Sequence, residues 1–216
     1  MVGVKICCIA DLEEARLAIA AGARAIGLVS TMPSGPGVID DARIAEIAAG
    51  VRDSGVRSFL LTARTQAEAI AEQHRAAGTT TLQLVDQVPV GELQRLRRLC
   101  PSVELVQVVH VTDARVLDEA LQAAPWVDAL LLDSGNPKAA VKELGGTGRT
   151  HDWQLSRRIR DAVHPLPLWL AGGLNAANVA EAVQRVRPGG VDLCSSVRSA
   201  GRLDAARLQA FMAALP

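Results

Sequence analysis

Eight short apolar runs, each followed by an Ala-rich amphipathic run, fill this chain from end to end. The apolar runs are Val2–Cys8, Ala25–Ser30, Arg57–Ala63, Thr80–Val85, Val103–Val109, Val127–Asp133, Leu166–Ala171 and Gly190–Cys194. They are apolar throughout rather than alternating, the pattern of parallel strands covered on both faces. The first helical run opens at Asp11, carries Leu12, Ala15 and Ile19 on one face and stops at Gly22; the second follows Asp40 with Ile44, Ile47 and Val51. Thr65 and Thr112 precede two more helices and suit N-caps, and Asn175 suits the seventh. That helix buries Val179, Ala182, Val183 and Val186, and the last, from about Leu203, holds Leu208, Phe211 and Met212. Eight βα units are the number that closes a TIM barrel, and 216 residues lie near the lower end of its range. The expectation is one α/β domain over residues 1–216, a single (β/α)8 barrel. An open doubly wound sheet is the alternative. It is usually marked by a Gly-rich first turn, and here that turn reads Cys7-Cys8-Ile9-Ala10-Asp11.

Composition narrows the function classes. The formal net charge is zero, which suggests neither a nucleic-acid surface nor an acidic tail. No apolar run approaches a membrane span, and the N-terminus enters a strand without a signal-peptide pattern. Cys7, Cys8, Cys100 and Cys194 have no framework spacing and no pair of Cys or His stands at finger spacing, so reduced thiols in a cytoplasm without a metal site are expected. The expected partner is a small molecule, with no nucleic acid and no membrane, for a monomer or small homo-oligomer.

In a TIM barrel, chemistry sits where the strands end at their C-terminal side. Those ends are Cys7, Ser30, Ala63, Val85, Val109, Asp133, Ala171 and Cys194. Lys5 and Cys7 share a strand face, and an ammonium beside a thiol raises its thiolate fraction. Cys7 therefore reads as a base or nucleophile; its competing reading is a small buried hydrophobe. Asp133 follows Leu130-Leu131-Leu132, and an unpartnered carboxylate there rises in pKa and becomes a general acid. The competing reading is a turn or capping residue beside Ser134 and Gly135. Loops after strands seven and eight often form a phosphate site in this fold. Here they supply Gly172-Gly173 and Ser195-Ser196, and the long loop Ser134–Thr150 adds Gly145-Gly146-Thr147-Gly148. Glycines let backbone N–H groups approach an anion. Lys5, Gln83 and His110 are further pocket candidates. His74 reads as solvent-facing, His151 as shaping a helix start, His164 as a loop residue, and Trp126, Trp153 and Trp169 as packing. Cys7 and Cys8 occupy opposite strand faces, which disfavours their pairing in a thiol-redox role.

With these pieces in place, the chain resembles the phosphoribosylanthranilate isomerase family of tryptophan biosynthesis from end to end. The residues that carry the resemblance are Val4-Lys5-Ile6-Cys7, Ala21-Gly22-Ala23 with Ala25-Ile26-Gly27, Leu82-Gln83-Leu84, and Leu131-Leu132-Asp133-Ser134. They continue with Gly145-Gly146-Thr147-Gly148 before Asp152-Trp153, Leu170-Ala171-Gly172-Gly173-Leu174-Asn175 with Asn178-Val179, and Val191-Asp192 with Ser195 and Val197. The resemblance implies an aldose–ketose (Amadori) isomerase without cofactor or metal, turning N-(5-phosphoribosyl)anthranilate into the carboxyphenylamino-deoxyribulose phosphate. Cys7 would take the C2′ proton, Asp133 would open the ribose ring, and Gly146, Gly148, Gly172, Gly173, Ser195 and Ser196 would hold the phosphate.

The chain also departs from the family pattern. Cys8 stands where the resemblance expects glycine, Ser30 where it expects an aromatic, and Val85-Asp86 where it expects His-Gly. Ser196 and Arg198 replace an expected Gly and Glu, and Pro36 stands about where it expects an arginine for the anthranilate carboxylate. Proline has no donor with which to clamp a carboxylate. Either another cation such as Arg149 takes that role, or the substrate is a different N-substituted aminosugar phosphate. A non-catalytic phosphosugar-binding barrel is the remaining alternative.

Overall fold

The computed structural model describes residues 2–136, 139, 142–144 and 148–216. Its strands are β1 (Gly3–Ile6), β2 (Ala25–Val29), β3 (Arg57–Thr62), β4 (Thr81–Leu84), β5 (Glu104–His110), β6 (Ala129–Asp133), β7 (Leu168–Leu170) and β8 (Gly190–Leu193). Each is parallel to its neighbours, and β8 returns to β1 with Lys5 opposite Asp192, so the sheet is a closed barrel and not the open alternative. The helices are α1 (Leu12–Ala20), α2 (Asp41–Val51), α3 (Ala67–Ala77), α4 (Val90–Leu99), α5 (Val116–Ala123), α6 (Trp153–Val163), α7 (Val179–Val186) and α8 (Ala205–Ala213). None among the described residues is long and apolar enough to cross a membrane.

The two-residue period of a strand divides the core in two. In β2 and β6, Ile26, Leu28, Leu130 and Leu132 face the helices, while Ala25, Val29, Ala129 and Leu131 face inward. Aromatics are scarce, yet two of them fill the barrel interior: Phe59 and Trp169 meet edge to face with centroids 5.9 Å apart. Trp169 fits because a side chain at Gly190 would stand 2.3 Å from its ring. The inward phase also carries Lys5 from β1 and Cys7 just past its end, Gln83 from β4, Asp133 at the end of β6 and Asp192 from β8.

Asp11 and Asp40 cap α1 and α2 by accepting from Glu14 and Arg43 backbone N–H groups. Three expected caps lie elsewhere. Thr65 makes no cap; the N–H of Ala67 at the start of α3 donates instead to Glu92 of α4, 2.7 Å away. Before α5 it is Asp113, not Thr112, whose carboxylate accepts from a backbone N–H, that of Arg115. Asn175 closes its own turn through Ala177 N–H, and α7 begins only at Val179. In the first two cases a carboxylate takes the place of the neutral hydroxyl. His74 is half-buried against Thr79 rather than solvent-facing.

Candidate active site

A cavity opens at the C-terminal mouth of the barrel. Its walls include Cys7, Gln83, Asp133, Gly172, Gly173 and Asp192, with Ser34-Gly35-Pro36 on one side and Gly148 and Ser195 on another. Cys7 and Asp133 thus share one chamber, from β1 and β6, with β7 and β8 between them. Asp133 is half-buried and accepts from the Ser134 N–H at 2.7 Å, which orients its carboxylate at the rim.

Below Cys7 lies a buried ion pair. Lys5 Nζ donates to Asp192 Oδ2 at 2.9 Å, with the lysine fully buried. Burial alone would lower the Lys5 pKa, but the Asp192 carboxylate outweighs it and holds the group above its ordinary value, so the ammonium stays charged. A Cβ at Gly27 would stand 2.9 Å from Cys7 Sγ and 3.0 Å from Lys5 Nζ, so thiol and ammonium both pack over that glycine. Asp192 Oδ1 and Gln83 Oε1 are buried with no hydrogen-bond partner, and both residues line the cavity. Buried polar atoms without a partner are uncommon in folded proteins.

The phosphate candidates divide. Gly172 and Gly173 have φ of 81° and 62°, left-handed values that glycine adopts without strain. A Cβ at Gly173 would stand 2.7 Å from the Arg149 carbonyl carbon, so the turn nests against the backbone of the long loop. Gly148 faces Ser195 across the same wall, its Cβ position 3.9 Å from the Ser195 hydroxyl. Ser196 is half-buried, its hydroxyl unpartnered, and is not part of the cavity wall. Gly146, with Gly145 and Thr147, lies outside the described residues.

Two candidates sit apart. His110 is buried, its Nε2 3.0 Å from the Val85 carbonyl, and it lines a neighbouring groove with Asp113 and Asn136. Arg149 is exposed, ion-paired with Glu143, and lines a third groove. Of the long loop, Leu144 packs into the barrel mouth, Lys142 binds Asp86, and its carbonyl accepts from Ser34. The loop is therefore tied across the cavity to two other rim loops.

Lys5 is a pocket candidate in the sequence, and its partner Asp192 emerges when the barrel closes. Lys5 and Asp192 are single charges in the apolar first and last strands, which a closed barrel must pair; that signal was present. His151 lies against Gly172, 2.9 Å from its Cβ position, with both ring nitrogens buried and unpartnered, rather than only shaping the start of α6. Because the strand ends at Ile6, Cys8 leaves the face alternation; its thiol donates to the Pro36 carbonyl at 3.5 Å, and Cys7, Cys8 and Cys194 line the same cavity. Those neighbours and burial push Cys8 far above the ordinary thiol value.

A closed parallel barrel with a thiol, a carboxylate and a glycine cradle around one mouth defines a TIM-barrel enzyme. The family model described as N-(5'phosphoribosyl)anthranilate (PRA) isomerase matches residues 4–214. The N-(5'-phosphoribosyl)anthranilate isomerase of Methanocella arvoryzae is 34% identical over 208 residues, covering 96% of this chain and 94% of that one. Phosphoribosyl anthranilate isomerase from Thermotoga maritima superposes with a TM-score of 0.83 at 29% identity, covering 98% and 97% of the two chains. A phosphoribosyl anthranilate isomerase in complex with reduced 1-(o-carboxyphenylamino)-1-deoxyribulose 5-phosphate superposes with a TM-score of 0.80 at 27% identity, covering 98% and 97%. The chain belongs to the phosphoribosylanthranilate isomerase family and is an isomerase of the aldose–ketose type.

Proposed function

We propose that this enzyme converts N-(5'-phosphoribosyl)anthranilate into 1-(o-carboxyphenylamino)-1-deoxyribulose 5-phosphate, with Asp133 as general acid and Cys7 as general base. Asp133 gives a proton to the ribose ring oxygen as the C1′–O bond breaks, leaving an iminium at C1′. Cys7 thiolate then takes the C2′ proton, and the electron pair moves to form the enolamine, which tautomerises to the ketose. The observation that carries this reading is that Cys7 and Asp133 line one cavity together with Gly148, Gly172, Gly173 and Ser195. Lys5, paired with Asp192, packs beside Cys7 over Gly27. Turnover of freshly made substrate, followed by its loss of fluorescence, tests the roles. Cys7→Ser and Asp133→Asn should each lower kcat at least 10²-fold, the ordinary scale of acid–base assistance. Retained turnover in either variant would remove that residue from the mechanism.

A second reading keeps the chemistry and changes the amine. Pro36 lines the cavity where the resemblance expects a carboxylate-binding arginine, and Arg149 pairs with Glu143 away from the wall. Loss of a charged partner costs a carboxylate about 1–3 kcal/mol, so poor turnover of the anthranilate compound beside good turnover of an uncharged N-aryl analogue would favour it.

A further inference from the structure

We propose that Arg198 is a positioning residue for Cys7, acting through the backbone of the turn that follows β1. This rests on the reading of Cys7 as the base. Arg198 follows β8 and the short turn Ser195–Val197, in a hairpin with Arg202–Leu203, and its side chain is almost wholly buried. One terminal nitrogen donates both to the Cys7 carbonyl, at 3.2 Å, and to the Cys8 carbonyl. The guanidinium cannot drift, because Glu14 grips both of its terminal nitrogens at 3.1 Å. Glu14 is itself 2% exposed and fixed by the Ala10 and Leu203 backbone N–H groups, so the first turn of the chain and the last hairpin share one charged hub.

The turn that this hub holds is an unusual one. Cys8 has φ of 61°, a left-handed conformation that costs a residue bearing a side chain. Two successive carbonyls converge on one cation there, and Cys7 is the residue that enters the turn. Strain of this kind persists only where the surroundings over-determine it. Arg198 provides that determination, while the Cys8 side chain is wedged against Gly37, whose Cβ position is 2.4 Å from Cys8 Cβ. Replacing Cys8 by glycine would remove the strain, and with it most of the need for Arg198.

That dependence gives the test. Arg198→Lys keeps the charge opposite Glu14 but not the planar fork, and thermal melting checks that it is folded. Its kcat should fall at least tenfold with KM changed less than threefold. In a Cys8→Gly background, the same Arg198→Lys substitution should lower kcat less than threefold. An equal loss in both backgrounds, or no loss in either, would overturn the proposal. Alkylation of Cys7 by iodoacetamide, mapped by tandem mass spectrometry, reads the thiol's position without turnover. Its rate should change at least threefold in Arg198→Lys and much less when Cys8→Gly is also present. If Cys7→Ser retained turnover while this alkylation coupling held, the base assignment alone would fall. If Cys7→Ser abolished turnover and no coupling appeared, the positioning role alone would fall.

Discussion

Gly27 and Cys7 are in contact across β1 and β2: a methyl group on Gly27 would stand 2.9 Å from the Cys7 sulfur and 3.2 Å from its Cα. The obstacle is space rather than backbone conformation. An alanine there must push the thiol, the Lys5 ammonium 3.0 Å away, or both. Gly27→Ala is expected to cost about 1–3 kcal/mol in stability through overpacking, and to lower kcat at least tenfold because Cys7 is displaced. Chemical denaturation and steady-state kinetics read the two effects separately. A variant that melts lower but turns over normally would mean that the Cys7 position does not matter to the reaction.

The Lys5–Asp192 pair closes the barrel electrostatically where its first and last strands meet. Both groups are buried, so removing one leaves the other uncompensated. Asp192→Asn is expected to destabilise the fold by roughly 3–5 kcal/mol, and Lys5→Met by a similar amount. The double substitution should recover much of the loss, since two neutral side chains leave no isolated charge. Urea unfolding of the four proteins measures the coupling; simple additivity would show that the pair is not a unit.

Gly173 turns with φ of 62° while a Cβ on it would be 2.7 Å from the carbonyl carbon of Arg149 and 2.8 Å from Thr150 N. Gly173→Ala meets both a conformational and a backbone obstacle, so the β7 turn and the long loop must separate. Because that turn is the proposed phosphate cradle, KM should rise tenfold or more, with kcat less affected. Inorganic phosphate should compete with substrate in the wild type and much more weakly in the variant. Unchanged phosphate inhibition would place the anion elsewhere.

The barrel was legible because it is written in repetition. Continuous apolar runs at strand length, separated by helical patterns, specify a covered parallel sheet whatever the individual residues. The same period of two put Cys7 and Asp133 on inward phases, and the rim glycines fell where strand ends meet. What the sequence did not reveal depends on long-range closure. Arg198 lies 191 positions from Cys7 and 184 from Glu14, and nothing local marks it as their partner. The left-handed turn at Cys8 falls on a residue that carries a side chain, and its one signal in the sequence is the glycine that the family resemblance expects there. The caps at Thr65 and Thr112 went astray for a related reason: a carboxylate, from α4 for one and from the next residue for the other, is a stronger acceptor than a hydroxyl.

His151 supplies the pH dependence. It packs against Gly172 with both ring nitrogens buried and unpartnered, and burial lowers its pKa below the ordinary 6.5, against the smaller upward pull of Asp133 and Asp152. The folded protein therefore holds this imidazole neutral, while the unfolded chain protonates it near 6.5. Between those two values the unfolded state binds more protons, so stability rises with pH across the window and is lost as the pH falls below 6.5. His151→Phe removes the titration and fills the same space without unsatisfied nitrogens. It should be more stable than the wild type by about 1 kcal/mol at neutral pH, with the gap widening by up to about 1.4 kcal/mol for each pH unit descended within the window. His74 also titrates downward through burial, but it is common to both proteins and cancels in the difference. Urea midpoints for wild type and His151→Phe at several values between pH 5 and pH 8 test this; parallel curves would show that His151 does not titrate on unfolding.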